Sequence, residues 1–453
     1  MPASYPDMMT IAPAAYPLEG TVRVPGSKSI TNRALILAAL ADGVSVLRQP
    51  LDSEDTQIMI NALQHLGVRV ERTAGALRVT GCGGNIPATE AELFLGNSGT
   101  SMRFLTALCA LGHGRYRLDG VERMRQRPQA DLLDALQQLG IDATAEADNG
   151  CPPLQVIGRG HLPGGTVRLR AEASSQFLSA LLMIAPCARE DLTIEVIGAL
   201  RPLYVEITLR MMAQWGITVE RREPQQFLIP AGQRYQPQDY TIEPDASSAS
   251  YFFAAAALTG GRVTVPGLSL NALQGDVRFA TEVLADMGCT VTADVQGITV
   301  AGRPDTPLQG ISRDMSAISD TSLTLAAIAP FAATPTTVRN IAHTRLQECD
   351  RIHAACTELS RLGVRVEEFP DGFTVHPTAR IIPTVVETYR DHRVAMSFAL
   401  IGLRAPGIVI RDPGCVAKTF PEFWQHLAQL GADIRPGGPP FPHDGTAACS
   451  QSA

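Results

Sequence analysis

One motif recurs six times in this 453-residue chain and limits what it can fold into. It consists of an apolar helix end, a glycine and a short alternating strand: ALQHLGVRVE, ALQQLGIDAT, MMAQWGITVE, VLADMGCTVT, ELSRLGVRVE and HLAQLGADIR. The glycines are Gly67, Gly140, Gly216, Gly288, Gly363 and Gly431, so neighbouring copies lie 73, 76, 72, 75 and 68 positions apart. A helix that stops on a C′ glycine and turns directly into a strand accounts for each copy. A second helix precedes each one. It starts with small polar residues and continues apolar, as in SKSITNRALILAAL, NSGTSMRFLTALCAL, SSQFLSALLMIA, SSASYFFAAAAL, SDTSLTLAAIAPF and YRDHRVAMSFALIG. The strands VSVL, RYRL, LTIEV, RVTV, TTVR and GIVI follow these helices. The chain is therefore α/β, with a unit of strand, apolar helix, strand, amphipathic helix, strand. A helix that is apolar on most faces must be buried, which leaves its polar N-terminus as the end open to water.

Six units divide into three plus three. An extended solenoid needs polar caps at its ends and the chain has none, so two compact lobes are expected, in keeping with its length. One lobe comprises residues 27–243, with units one to three; the other comprises 1–26 plus 244–436, with units four to six. YTIEPDA, at 240–246, joins them, and a second crossing lies near Gly26. Residues 437–453, rich in Pro, Gly and Ser, are expected to be disordered.

A net charge of −7 argues against generic nucleic-acid binding, so an anionic ligand must be drawn by a local cluster of cations. No run approaches the roughly 18 apolar residues of a membrane span, and MPASYPDMMTIAP lacks the regions of a signal peptide, so a cytoplasmic location is expected. The nine cysteines show no C-x-x-C spacing and read as free thiols.

The charged residues that look out of place on buried helices gather at the helix starts. PGSKSITNRALILAAL sets Gly26, Ser27, Lys28, Ser29, Thr31, Asn32 and Arg33 just before its apolar run. A Pro-Gly turn and a Ser cap would aim bare N–H groups, the positive end of the helix dipole and two cations at one spot, a place for a phosphate. It is not a Walker A loop, since Ser27 rather than glycine precedes Lys28. Asn97, Ser98, Gly99, Thr100 and Arg103 open the second unit's helix; Arg125 and Arg127 follow its strand; Ser174, Ser175 and Gln176 open the third, and Arg201 follows. In the second half stand Asp320, then Glu348, Asp350 and Arg351, then Arg390, Asp391, His392 and Arg393, and finally Lys418. Each has an ordinary explanation: Arg351 with Glu348 is a helical i,i+3 pair, and Asp320 is a helix cap. If the apolar helices point their N-termini into one cleft, however, all of them meet there as a cationic site holding a few carboxylates for proton transfer.

With these residues in view the chain resembles the EPSP synthase family (3-phosphoshikimate 1-carboxyvinyltransferase) over nearly its whole length. The motifs that carry the resemblance, in the family's order, are PGSKSITNRALILAALADG, LGNSGTSMRFL, RMRQRP, SSQFLSALL, DASSASYF, ISDTSLTLA, ECDRI, YRDHRVAM and CVAKTFPEF. The resemblance implies the two-lobed enolpyruvyl transferase fold, an inside-out α/β barrel of six βαβαββ units, three per lobe. It implies an alkyl-group transferase of aromatic amino-acid and chorismate biosynthesis. The 5-hydroxyl of shikimate 3-phosphate attacks C2 of phosphoenolpyruvate while C3 is protonated, and the tetrahedral intermediate expels phosphate. No metal or organic cofactor is expected, and a monomer is. Carried over by position, Lys28, Arg127, Arg351, Arg393 and Lys418 would hold phosphoenolpyruvate, with Gly99 and Gln176 beside it. Lys28, Ser29, Arg33, Ser174, Ser175, Gln176, Arg201, Asp320 and Gln347 would face shikimate 3-phosphate, with Tyr204 on that side. Asp320 would take the hydroxyl proton, and Glu348, assisted by Lys28, would serve as acid and base at C3. An acid needs a raised pKa and surrounding cations lower it, so the role of Glu348 contains a conflict. Gly99 leaves the small space that glyphosate occupies in sensitive family members, so inhibition competitive with phosphoenolpyruvate is expected.

The family pattern most often reads R-V-K-E-[ST]-D-R, whereas this chain has Arg345-Leu346-Gln347-Glu348-Cys349-Asp350-Arg351. Gln347 thus replaces a lysine that usually touches the shikimate side. His343 stands where asparagine is frequent, and Phe104 where proline or leucine is. The nearest alternative, UDP-N-acetylglucosamine enolpyruvyl transferase, uses a loop cysteine roughly where this chain has ERMRQRP, and reads K-N where this chain has Lys28-Ser29. A divergent enolpyruvyl transferase of secondary metabolism is suggested only by Gln347. A non-catalytic anion-binding protein would need neither Asp320 nor Glu348.

Overall fold

The computed structural model describes residues 5–437 except 199, 201, 223 and 224. Six four-stranded sheets surround six buried helices. All six sheets share one strand order. In unit two, Glu90–Phe94 runs parallel to His113–Asp119, which pairs antiparallel with Leu154–Arg159, and Asp142–Ala145 forms the far edge. The six repeat glycines all have positive φ, from 76° at Gly140 to 103° at Gly431, the left-handed conformation that lets a helix turn at once into a strand.

Three units do not complete their own sheets. The outer strand of unit one is Asp239–Thr241, which arrives after unit three and runs parallel to Val44–Arg48. That of unit four is Glu19–Thr21, from before unit one, parallel to Arg262–Pro266. In unit six, Met8–Ile11 pairs antiparallel with both Ile408–Arg411 and Ile434–Pro436. The N-terminal segment thus belongs to the second set of sheets, and the chain from Ile30 to Ile242 builds a core of its own.

The inner helices are Lys28–Leu40, Gly99–Cys109, Gln176–Ile184, Ala246–Thr259, Ser322–Ile328 and His392–Gly402. Each is buried on nearly every face, and the sheets lie outside them. The chain passes between the two cores twice, side by side. Ser27 N donates to Glu243 O (2.8 Å) and Asp245 N to Pro25 O (2.8 Å). A Cβ on Gly26 would overlap the Gln49 carbonyl, so this crossing has room only for glycine. The thiols described are all free; Cys449 and the expected disordered tail, apart from Gly437, lie outside the described residues. No helix among the described residues is long and apolar enough to cross a membrane.

Candidate active site

The N-termini of five inner helices, counting the 3₁₀ turn that leads into Ser322–Ile328, open onto one cleft between the two cores, with about 830 Å³ of space including its open mouth, while the start of Ala246–Thr259 does not line it. Lys28, Ser29, Arg33, Gly99, Arg127, Ser174, Ser175, Gln176 and Tyr204 line it from the first set of units; Asp320, His343, Gln347, Glu348, Arg351 and Arg393 line it from the second. Arg201 lies outside the described residues. Lys418 is not on the cleft wall. Its ammonium reaches in from behind, to Asp55 at 2.7 Å and the Asn97 carbonyl at 3.1 Å.

The bare N–H groups expected at the first helix are partly taken. Lys28 N donates to Asp245 Oδ2 (3.2 Å) and Ile30 N to Ser27 Oγ (3.4 Å), so protein acceptors, one of them from the other crossing, occupy part of that dipole. Asp320 likewise departs from the helix-cap reading. It sits in a 3₁₀ turn, Ser316–Thr321, broken at Ile318, and Thr321 precedes the helix. This turn aims its carboxylate at the cations instead of at backbone N–H groups.

Arg351 organises the second side. From one fully buried guanidinium it reaches Asp391 Oδ2 (2.8 Å), Glu348 Oε2 (3.0 Å) and Asp320 Oδ1 (3.3 Å), and it also donates to Gln347 Oε1. Arg393 grips the other oxygen of Asp320 at 2.8 Å. Two residues before the last inner helix, Tyr389 and Arg390 both take positive φ (55° and 54°), which brings Asp391 and Arg393 into this cluster. Cys349 Sγ adds a weak contact to Asp391 (3.4 Å).

The first side is arranged differently. Arg33, Arg103 and Arg127 are all buried, and among the described residues none has a carboxylate within ion-pair distance. Arg33 bonds Thr208 Oγ1 (2.7 Å) and the carbonyls of Ser29 and Tyr204 (2.9 and 3.2 Å), and its guanidinium lies 5.3 Å from the Phe104 ring. Among the described residues Arg103 hydrogen-bonds Gln176 Oε1 (3.0 Å) and lies 5.5 Å from the Phe177 ring, Arg127 hydrogen-bonds Asn97, and the Nε of each is buried without a partner. Burial pushes Arg33 down to about 10 and, with Arg127 adding to it, Arg103 to about 9. Uncompensated buried cations call for an anion.

Sequence reasoning missed Asp55. It accepts from Lys418 and lies 3.5 Å from Lys28 Nζ, so one carboxylate joins lysines from both sides of the cleft. In the sequence it reads as an ordinary acidic residue in the first turn of Glu54–His65, where it would complement the dipole. Thr100, Arg103 and Ser319 were visible as helix-start residues, while Leu346 gave no signal.

Asp320 and Glu348 are both held towards the ionised form. Burial pushes Asp320 up, but Arg393, Arg351 and Lys28 together outweigh it and hold the group below the usual carboxylate value. Glu348 is also raised by burial, yet Arg351, Arg127, Lys28 and Lys418 bring it well below its ordinary value. Burial and neighbouring cations keep His392 neutral. Among the described residues no group of three His, Cys, Asp or Glu is placed to hold a metal ion.

The family model described as EPSP synthase (3-phosphoshikimate 1-carboxyvinyltransferase) matches residues 13–427. The 3-phosphoshikimate 1-carboxyvinyltransferase of a Nostoc species is 51% identical over 427 residues, 94% of this chain and 99% of that protein. The chloroplastic protein of that name from Petunia hybrida is 45% identical over 429 residues, 91% of this chain and 83% of its own. Among solved structures, an EPSP synthase from Acinetobacter baumannii superposes with a TM-score of 0.77 at 26% identity, covering 94% of this chain and 99% of that one. The enolpyruvyl transferase NikO from Streptomyces tendae shares the fold, with a TM-score of 0.74 at 21% identity over 96% and 99% of the two chains. By motifs, strand order and the match along almost its entire length, this chain belongs to the EPSP synthase family.

Proposed function

We propose that the chain transfers the enolpyruvyl group of phosphoenolpyruvate to the 5-hydroxyl of shikimate 3-phosphate and releases phosphate, as its membership of the EPSP synthase family supports. One observation carries the reading. A single guanidinium, Arg351, touches both Asp320 and Glu348, so the two carboxylates that would move protons share one site beside Lys28, Arg127 and Arg393.

In this reading Lys28, Arg127, Arg351 and Arg393 hold phosphoenolpyruvate, and Lys418 joins them only by turning its ammonium from Asp55 towards the cleft. Ser29, Arg33, Ser174, Ser175, Gln176 and Arg201 hold shikimate 3-phosphate, with Gln347 near its ring. Asp320, kept ionised by Arg393 and Arg351, receives the hydroxyl proton as oxygen attacks C2. The conflict over Glu348 has a physical resolution. The two substrates together bring about five negative charges, and these offset the cations that hold Glu348 low. Its proton affinity rises when the site is filled, so it can carry a proton to C3 and take one back when phosphate leaves. The buried arginines of the first side, which have no carboxylate of their own, gain their counter-charge at the same moment. The lobes, 27–243 against 1–26 plus 244–436, would open and close about the paired crossings at Gly26 and Pro244. We read the enzyme as a cytoplasmic monomer that glyphosate inhibits in competition with phosphoenolpyruvate.

The test is phosphate release from phosphoenolpyruvate with shikimate 3-phosphate and, in parallel, with UDP-N-acetylglucosamine. Release is expected with the first acceptor only. No release with shikimate 3-phosphate would overturn the proposal.

A further inference from the structure

One buried carboxylate near the cleft has no part in the chemistry above. Asp276 lies in a short 3₁₀ turn, Gly275–Val277, and is 4% exposed. Among the described residues its Oδ1 has no hydrogen-bond partner, and no cation lies within ion-pair distance of it. Its neighbours are better provided for: Asp320, Glu348 and Asp391 share Arg351, and Asp245 caps Ser248 N (2.8 Å) and Lys28 N. An isolated ionised carboxylate in such a place is costly, and the group escapes the cost by keeping a proton.

The charged and titratable groups facing Asp276 come from every element packed around its turn. Asp320 approaches from Ser316–Thr321, Asp245 and the Ser247 hydroxyl from the start of Ala246–Thr259, Arg393 from the last inner helix, and Tyr204 from the helix Pro202–Gln214. Tyr251 faces Arg393. Arg278 and Glu282, on the next turn, pair with each other at the surface (3.6 Å). The turn is also tied to the crossing between the lobes. Gln274 Nε2 donates to Pro244 O (2.8 Å), its Oε1 accepts from Ala246 N (3.1 Å), and Leu203 of the first lobe packs against Gly275.

Resting on the proposed activity, we infer that Asp276 is a positioning residue for Asp320: a second buried carboxyl, on a turn packed against the turn that carries Asp320, whose charge sets how strongly Asp320 accepts the hydroxyl proton of the acceptor. While Asp276 is protonated, the cations around Asp320, Arg393 and Arg351 with Lys28, dominate and leave it a weak base. When Asp276 ionises, the like charge raises the proton affinity of Asp320 and makes it a stronger one. Burial, with Asp320 adding to it and Arg393 opposing it, pushes Asp276 up to about 7, which places this ionisation near neutrality.

Two readouts on the full-length enzyme test the inference. The first is a ¹³C NMR titration of aspartate carboxyls, which needs no turnover. One buried carboxyl should titrate near neutrality in the wild type and be missing in Asp276→Asn. The second is kcat against pH. The wild type should rise severalfold between about pH 6 and about pH 8, whereas Asp276→Asn should stay flat, with KM for both substrates within about twofold of wild type. Should Asp276→Asn fail to fold, Ser247→Ala removes the hydroxyl that favours the ionised form and should move both titrations to higher pH. A wild type with no carboxyl titrating near neutrality, or an Asp276→Asn enzyme keeping the wild-type pH profile, would overturn the inference. A wild type that releases no phosphate at all would refute the proposed activity, and the carboxyl titration would still decide the protonation of Asp276.

Discussion

The contact between Asp55 and Lys418 offers a quantitative test of what holds the two sides of the cleft together. Both side chains are buried, 2% and 9% exposed, and their charged atoms are 2.7 Å apart, so the modest value of a surface pair does not apply. Removing one member of such a pair leaves the other as an uncompensated buried charge, a loss of about 3–5 kcal/mol. Asn in place of Asp55 still offers Lys418 an amide oxygen, so Asp55→Asn should fall at the lower end, about 3 kcal/mol. For a lobe of roughly 200 residues that is a fall in Tm of about 6–12 °C. Lys418→Met should cost a similar amount, because Asp55 then keeps only the longer contact to Lys28 at 3.5 Å. With both replaced, neither member of the close pair is stranded, although Lys28 loses its 3.5 Å contact, and the double variant should recover part of the loss, a coupling of at least about 1.5 kcal/mol. Thermal scans of the four proteins in ligand-free buffer complete the cycle. Single variants within about 1 °C of wild type, or a double variant whose loss equals the sum of the singles, would refute the argument.

Three further outcomes are expected. Gly99→Ala would put a methyl 2.7 Å from Arg103 Nη1 and closer still to Arg127 Nη2; displacing these cations should raise KM for phosphoenolpyruvate about tenfold or more, and steady-state kinetics with an unchanged KM would remove Arg127 from that substrate's site. Gly26→Ala must push the Gln49 carbonyl aside and should lose about 1–3 kcal/mol in urea unfolding, whereas an unchanged midpoint would mean that the crossing yields freely. Asp276 has a folded pKa of about 7 against an ordinary 3.8, so it destabilises the fold progressively as pH rises between those values and not at all below them. Asp276→Asn should therefore raise Tm at pH 8 more than at pH 5, and equal shifts at the two pH values would contradict its protonation.

The repeat was legible because its signal is local: a helix end, a glycine with positive φ and a strand follow one another within ten residues each time. The meeting of Lys28, Arg127, Asp320, Glu348, Arg351 and Arg393 was legible once every apolar helix was required to expose only its N-terminus. What the sequence hid is non-local. Nothing near Met8–Ile11 announces a partner at Ile408–Arg411, and nothing in YTIEPDA tells that Asp239–Thr241 closes the first sheet. The helix start at Lys28 looked open because the second acceptor there, Asp245, comes from the other crossing. Asp55 resembled a dipole partner, and its real role appears only when Lys418, on the far side of the cleft, arrives beside it.

The borrowed strands also set an order of assembly. Met8–Ile11 is synthesised before the other described strands, yet Arg411, which it faces in the sheet, lies about 400 residues later. At about 5–20 residues per second that is a wait of roughly 20–80 s for a strand with unpaired edges. The lobe of units one to three has all its strands once Thr241 is made, so it can fold while both N-terminal strands are still free. The nascent chain thus carries a finished lobe between two halves of an unfinished one, and Met8–Ile11, made before that lobe, is among the last strands to find its place.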